Sequence, residues 1–164
     1  MTDWDRIVRE YGPLVFATAW RILGHAADTE DVVQEVFLQV HQLQQTNPVR
    51  HWPALLRRLA ACRALDRLRQ RRVSVSLNGL ALIGPDEGPE AAAVERELAE
   101  RLRRAMAQLP AREAEVFCLR YFDDLSYQDI AAALHIKTGA VASALHKARL
   151  KLEALLRETV QEKI

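Results

Sequence analysis

Apolar positions recur three and four residues apart along most of the chain, the spacing of one face of an α-helix. In the first half, Asp3 can cap a short helix ending near Tyr11. Gly12-Pro13 interrupts it, and Pro13 suits the first turn of a second helix that runs to Leu23 and ends at Gly24. A third helix, starting at Asp28 or Thr29, carries Val32, Val33, Val36, Phe37 and Val40. Gln44 to Pro48 forms a polar turn, and a fourth helix runs from Trp52 to about Arg72. Its first part has the stripe Trp52, Leu55, Leu56, Leu59 and Cys62, and its second part turns Ala61, Leu65 and Leu68 to another side. The second half again predicts four helices: Glu90 to Gln108, Arg112 to about Phe122, a short one after Ser126 ending at Leu134, and a final one capped by Thr138. The last carries Val141, Leu145, Ala148, Leu152 and Leu155 on one side.

Helical periodicity stops at VSVSLNGLALIGPDEGPE, residues 73–90, where glycine and proline cluster. The expected organisation is all-α: two small helical domains, 1–72 and 91–164, joined by a short linker at 73–90. Each domain is near the lower size limit for an independent core, so flexible relative placement is expected. Aromatic residues make up only 6% of the chain, and glycine and proline number six each, a composition poor in strand and turn formers that points to helices.

No apolar run is long enough to cross a bilayer, and MTDWDRIVRE is too charged for a signal peptide. Cys62 and Cys118 lie far apart in apolar helical contexts and match no metal spacing, as expected of buried thiols in a reducing cytoplasm. No cofactor or metal is implied. The five histidines form no i, i+4 pair, and P-loop, GxGxxG, HExxH and GxSxG motifs are absent, so catalysis is not expected. The net charge of +1 hides a strong asymmetry. Residues 50–72 hold eight arginines against Asp66 alone, residues 73–125 sum to −4, and residues 126–164 sum to +2. A +7 stretch suits a phosphate backbone, since each neutralised phosphate releases counterions. Arg63, Arg67 and Arg71, four residues apart, should line one ridge of their helix.

Ser126-Tyr-Gln-Asp129 is a capping-box pattern, and it opens a short helix, a tight turn at His135-Ile136 and a second helix. That is a helix-turn-helix arrangement. Taken with YGPLVFATAWRILG, DTEDVVQEVFLQV, LLRRLAACRALDRLRQRR, LPAREAEVFCLRYFDDLSYQDIAAAL and HKARLKL, the chain resembles the bacterial extracytoplasmic-function sigma factors of the sigma-70 family. The likeness runs from about Tyr11 to Leu156, and the order and spacing of its motifs match that family's regions 2 and 4.

The resemblance implies that the chain binds core RNA polymerase and directs it to promoters. The helix similar to the family's DAEDLVQEVFL motif would dock on the β′ clamp helices through Asp28, Asp31, Gln34, Glu35, Phe37 and Leu38. Region 4 would meet the β flap. Asn47, Arg50 and His51 in the loop, with Arg57, Arg63, Arg67 and Arg71 on the helix after it, would hold the −10 element. Lys137, Thr138, Gly139, Ser143, His146, Lys147 and Arg149 would face the −35 element. An anti-sigma partner and no membrane insertion are also implied. Three departures stand out. The family often has Arg-Asn where this chain has Ala61-Cys62. Ala140, Ala142 and Ala144 replace residues that are usually polar or basic, and His135 replaces a turn glycine. Arg149 could instead pair with Glu153. Two other readings stay open at this point: a sigma-like interaction protein with weak promoter reading, and a polymerase-independent helix-turn-helix regulator.

Overall fold

The computed structural model describes residues 3–78 and 90–161. Among these, every regular element is helical: α1 Trp4–Leu23, α2 Ala26–Thr46, α3 Trp52–Asn78, α4 Glu90–Met106, α5 Ala111–Tyr121, α6 Tyr127–Leu134 and α7 Thr138–Gln161. The side chains of residues 72–78, 90 and 91 lie outside the description, as does residues 79–89 of the expected linker.

The first two expected helices are one. α1 passes straight through Gly12-Pro13, with Asp3 capping its start and Gly24, at φ 58, its end. Proline in a helix interior removes one backbone hydrogen bond and costs about 3 kcal/mol. Here the apolar period continues across the break as Ile7, Tyr11, Leu14, Val15, Thr18 and Ile22, while Pro13 itself points to solvent. Burying a large apolar side chain contributes about 1.5–3 kcal/mol, so this stripe outweighs the lost bond. α2 begins two residues before the earliest expected start: His25 is the N-cap, and its Nδ1 accepts from the Asp28 amide at 3.3 Å. α3 continues to Asn78, into the expected linker, since no breaker occurs before Gly79.

α1, α2 and α3 pack into one bundle around Val15, Ile22, Val32, Val36, Val40 and Leu56. α4 to α7 pack around Met106, Val116, Leu119, Ile130, Val141 and Leu145. The expectation of free relative placement does not hold. α3 packs on α4, α5 and α6, and the two sets of buried residues form one continuous cluster. α3 carries both contacts: Ala61, Leu65 and Leu68 of its second stripe are all buried, and Cys62, expected on the first stripe, reaches across to donate to Glu115 Oε1 of α5 at 2.7 Å. Polar ties reinforce the seam. Arg103 of α4 donates to the Ile22 carbonyl at the end of α1, and Asp123, just past α5, meets Thr18 and Arg21 of α1.

Candidate nucleic-acid and polymerase interface

The exposed face of α2 and the arginine ridge of α3 turn out to face each other. Arg71 donates through Nε and Nη2 to Asp28 Oδ2 at 2.9 and 2.6 Å, and through Nη1 to the Leu23 carbonyl. Arg67 bonds Glu35 at 2.5 Å, with Asp31 and Asp28 at 3.6 and 3.9 Å. These contacts, the Glu35 hydrogen bond first, hold the Arg67 guanidinium above its usual range. Arg63 donates twice to Gln39 Oε1. Sequence spacing correctly puts the three arginines on one ridge, but it cannot show that the facing helix supplies the matching acceptors. Gln39, the partner of Arg63, was missed for that reason.

Of the six residues expected on the polymerase side, Gln34 and Leu38 are exposed with no side-chain bond among the described residues, and Asp31 is exposed beside Arg67. Asp28 and Glu35 are half-buried in the network above. Phe37 is in the core instead, 7% exposed and edge-on to Trp4 with ring centroids 6.1 Å apart. It lies one turn from Val33 and Val40, on the apolar side of α2, so the docking face cannot include it.

The expected polar turn at Gln44 to Pro48 is helical as far as Thr46, and the α2–α3 connection proper starts at Asn47. Gln44, Gln45, Thr46, Asn47, Pro48, Val49 and Trp52 line a cleft of about 290 Å³. Asn47, Arg50 and His51 are exposed around it. His51 Nδ1 accepts from the Ala54 amide at 3.2 Å and so starts α3. Trp52, half-buried, stacks on Tyr11 at 6.3 Å. Gln44 Oε1 is buried without a hydrogen-bond partner, and its residue lines the cleft. An orphaned buried acceptor carries a desolvation cost of about 1–3 kcal/mol until a donor reaches it.

The helix-turn-helix is built as its sequence indicates. Ser126 Oγ accepts from the Asp129 amide at 3.0 Å. His135 takes the left-handed conformation at φ 55, ψ 45, one that histidine tolerates better than most residues. The Ile136 amide then closes the turn onto the Ala131 carbonyl. Lys137, Thr138, Gly139, Ser143, His146 and Lys147 are all exposed on or just before α7. Ala140 and Ala142 are exposed beside them, but Ala144 is buried with Val141 and Leu145. A polar residue at 144 would therefore face the core. Arg149 does not pair with Glu153, which bonds Arg157. It donates instead to the Tyr121 hydroxyl at 2.6 Å and lies over that ring.

These two surfaces match two descriptions in order along the chain: Sigma-70 region 2 over residues 7–73, and Sigma-70 region 4 over residues 99–152. The RNA polymerase sigma factor CnrH of Cupriavidus metallidurans is 31% identical over 181 residues, covering 94% of this chain and 95% of that protein. The chain belongs to the sigma-70 family, in its ECF branch. The ECF RNA polymerase sigma factor SigE of Mycolicibacterium smegmatis is 30% identical over 161 residues; the match takes in 95% of this sigma factor chain but 62% of SigE. The solved structure of CnrH in complex with the cytosolic domain of CnrY overlays with a TM-score of 0.58 at 25% identity, covering 94% of this chain and 88% of that one. Among the described residues, no helix is long and apolar enough to cross a membrane, and no group of histidine, cysteine and carboxylate side chains is placed to hold a metal.

Proposed function

We propose that this chain is a non-enzymatic, cytoplasmic initiation factor that binds core RNA polymerase and directs it to specific promoters. The observation that carries this reading is the presence, on one chain of the sigma-70 family, of both a polar cleft in the α2–α3 loop and an exposed helix-turn-helix. Residues 1–72 would hold polymerase and the −10 element, and residues 91–164 the −35 element. Single-strand capture needs cationic tracking and a place for an unstacked base. Asn47, Arg50, His51 and the unpartnered Gln44 oxygen offer such a place. At the −35 element, Lys137, Ser143, His146 and Lys147 would work mainly through phosphates, since neither Ala140 nor Ala142 can form a bidentate guanine contact. A protein partner of the anti-sigma kind would control access, as CnrH has itself been solved with part of a second protein.

The polymerase contact would use the exposed part of α2, namely Gln34, Leu38 and Asp31, the last of them beside Arg67. Gln34→Ala with Leu38→Ala should abolish co-purification with core polymerase and transcription from a responsive promoter, while helical circular dichroism and melting temperature stay unchanged. Full binding by the folded double variant would reassign the docking face.

A further inference from the structure

Asp123 is an acid in an unusual place. It sits in the connection after α5, yet its side chain is 2% exposed. Both carboxylate oxygens accept from the Thr18 hydroxyl, at 3.2 and 3.0 Å, and Oδ1 also accepts from Arg21 Nη1 at 2.9 Å. The Arg57 guanidinium is close enough to act on the same carboxylate. The chain is shaped to deliver it. The amides of Asp123 and Leu125 close back on the Cys118 and Leu119 carbonyls, and Asp124 turns left-handed at φ 54, which leaves its own side chain in solvent. A hydroxyl, a half-exposed guanidinium and a second guanidinium nearby form the donor set that recognises a phosphate as readily as a carboxylate. Arg57 is also one of the residues expected on promoter DNA.

We propose that Asp123 is an internal phosphate mimic: it docks the C-terminal half on the Thr18–Arg21–Arg57 face of the N-terminal half, and that face takes a nucleic-acid phosphate only when the halves separate. This rests on the reading of the chain as a promoter-binding factor and adds its regulation. A closed chain of this length has a radius of gyration of about 15 Å, too short to lay its two DNA surfaces on separate promoter elements. The seam is suited to opening. It combines small and polar groups (Ala61, Cys62, Glu115, Arg103) with a few leucines, as interfaces between mobile domains do. Burial also pushes the Asp123 carboxyl up, against the pull of Thr18, Arg21 and Arg57, so its ionised form gains hydration on release.

The test compares Asp123→Asn with Asp124→Asn, which removes the same charge from the exposed neighbour. Affinity for a fluorescent single-stranded oligonucleotide should rise several-fold in Asp123→Asn and stay near the parent value in Asp124→Asn. The gain should vanish when Arg21→Ala is added. Asp123→Arg should expand the free chain in small-angle scattering while its helical circular dichroism is kept. Equal affinities for the two asparagine variants, no binding by either, or an Asp123→Arg chain as compact as the parent would each overturn the proposal. Polymerase plays no part in these measurements, so a failure of promoter-directed transcription is read separately.

Discussion

Gly24 shows how much one residue can carry. Its φ of 58 ends α1 in the left-handed region, and its missing side chain leaves room for the Arg103 guanidinium, which would otherwise collide with a Cβ there. Arg103 uses that room to bond the Ile22 carbonyl from the other bundle, while Arg71 bonds the Leu23 carbonyl from α3. Two cations thus complete the negative end of α1 and tie three helices together. Gly24→Ala carries a backbone penalty of about 1–2 kcal/mol and also displaces Arg103 from a charge-assisted bond. Urea unfolding should show a loss of about 2–3 kcal/mol in the parent background, by those two contributions. In an Arg103→Ala background the same substitution should cost only the backbone part. Equal costs in both would mean that the guanidinium simply swings aside. Cys62 is a residue of the opposite kind. Its thiol is pushed up to about 12 by burial and then by the Glu115 carboxylate it faces, so it is a structural donor rather than a nucleophile.

At the scale of the element, Pro13 is the sharpest test of why α1 is continuous. Its ring is exposed to solvent, so the proline contributes no core contact that alanine would lose. Pro13→Ala should restore a backbone bond to Arg9 and raise stability by about 1–3 kcal/mol, within the range set by the intrinsic cost of proline in a helix. A fall in stability would show that a bend at Pro13 is needed to seat α1 on α2 and α3. The same helix marks the limit of reading from sequence. Gly-Pro is a strong local signal for a break, and local rules alone favour it. The competing signal is the apolar period from Ile7 to Ile22, whose value depends on α2 and α3 being present to bury it. Elements fixed by local chemistry were legible: the Asp3 and Ser126 caps, the Gly24 stop and the left-handed His135 turn. So was the α7 stripe, with the refinement that Ala144 belongs to it. What sequence could not supply was partner identity across space. Arg67 and Arg71 read as a free cationic ridge until α2 is placed opposite, and Phe37 reads as part of a docking motif until Trp4 closes over it.

For the whole molecule, this pairing changes the electrostatics of DNA binding. Residues 50–72 sum to +7 in the sequence, but much of that charge is neutralised within the fold. Arg67 and Arg71 are held by Asp28, Asp31 and Glu35 of α2, and Arg69 by Asp66, which that sum already counts. Arg63 keeps its charge but is bound to Gln39. Among the described residues, Arg50 and Arg58 have no carboxylate partner, and the Asp123 carboxylate acts on Arg57. Counterion release counts phosphates neutralised, not arginines present, at about 0.7 per contact on single strands and about 0.9 on duplex. Among the arginines whose side chains are described, Arg50, Arg57 and Arg58 should therefore contribute most to the salt slope of −10 binding by this segment. Arg50→Ala with Arg58→Ala should flatten the plot of log affinity against log salt by about 1.5 units, two contacts by that rule. Arg67→Ala with Arg71→Ala should leave the slope nearly unchanged and lower the melting temperature instead, because it strips Asp28 and Glu35 of their partners in a half-buried network. The contrast separates two roles for one run of arginines. Were the second pair of substitutions to flatten the slope as much as the first, the ridge would have to leave α2 and turn to DNA on binding, and the α2–α3 contacts would belong to the free protein alone.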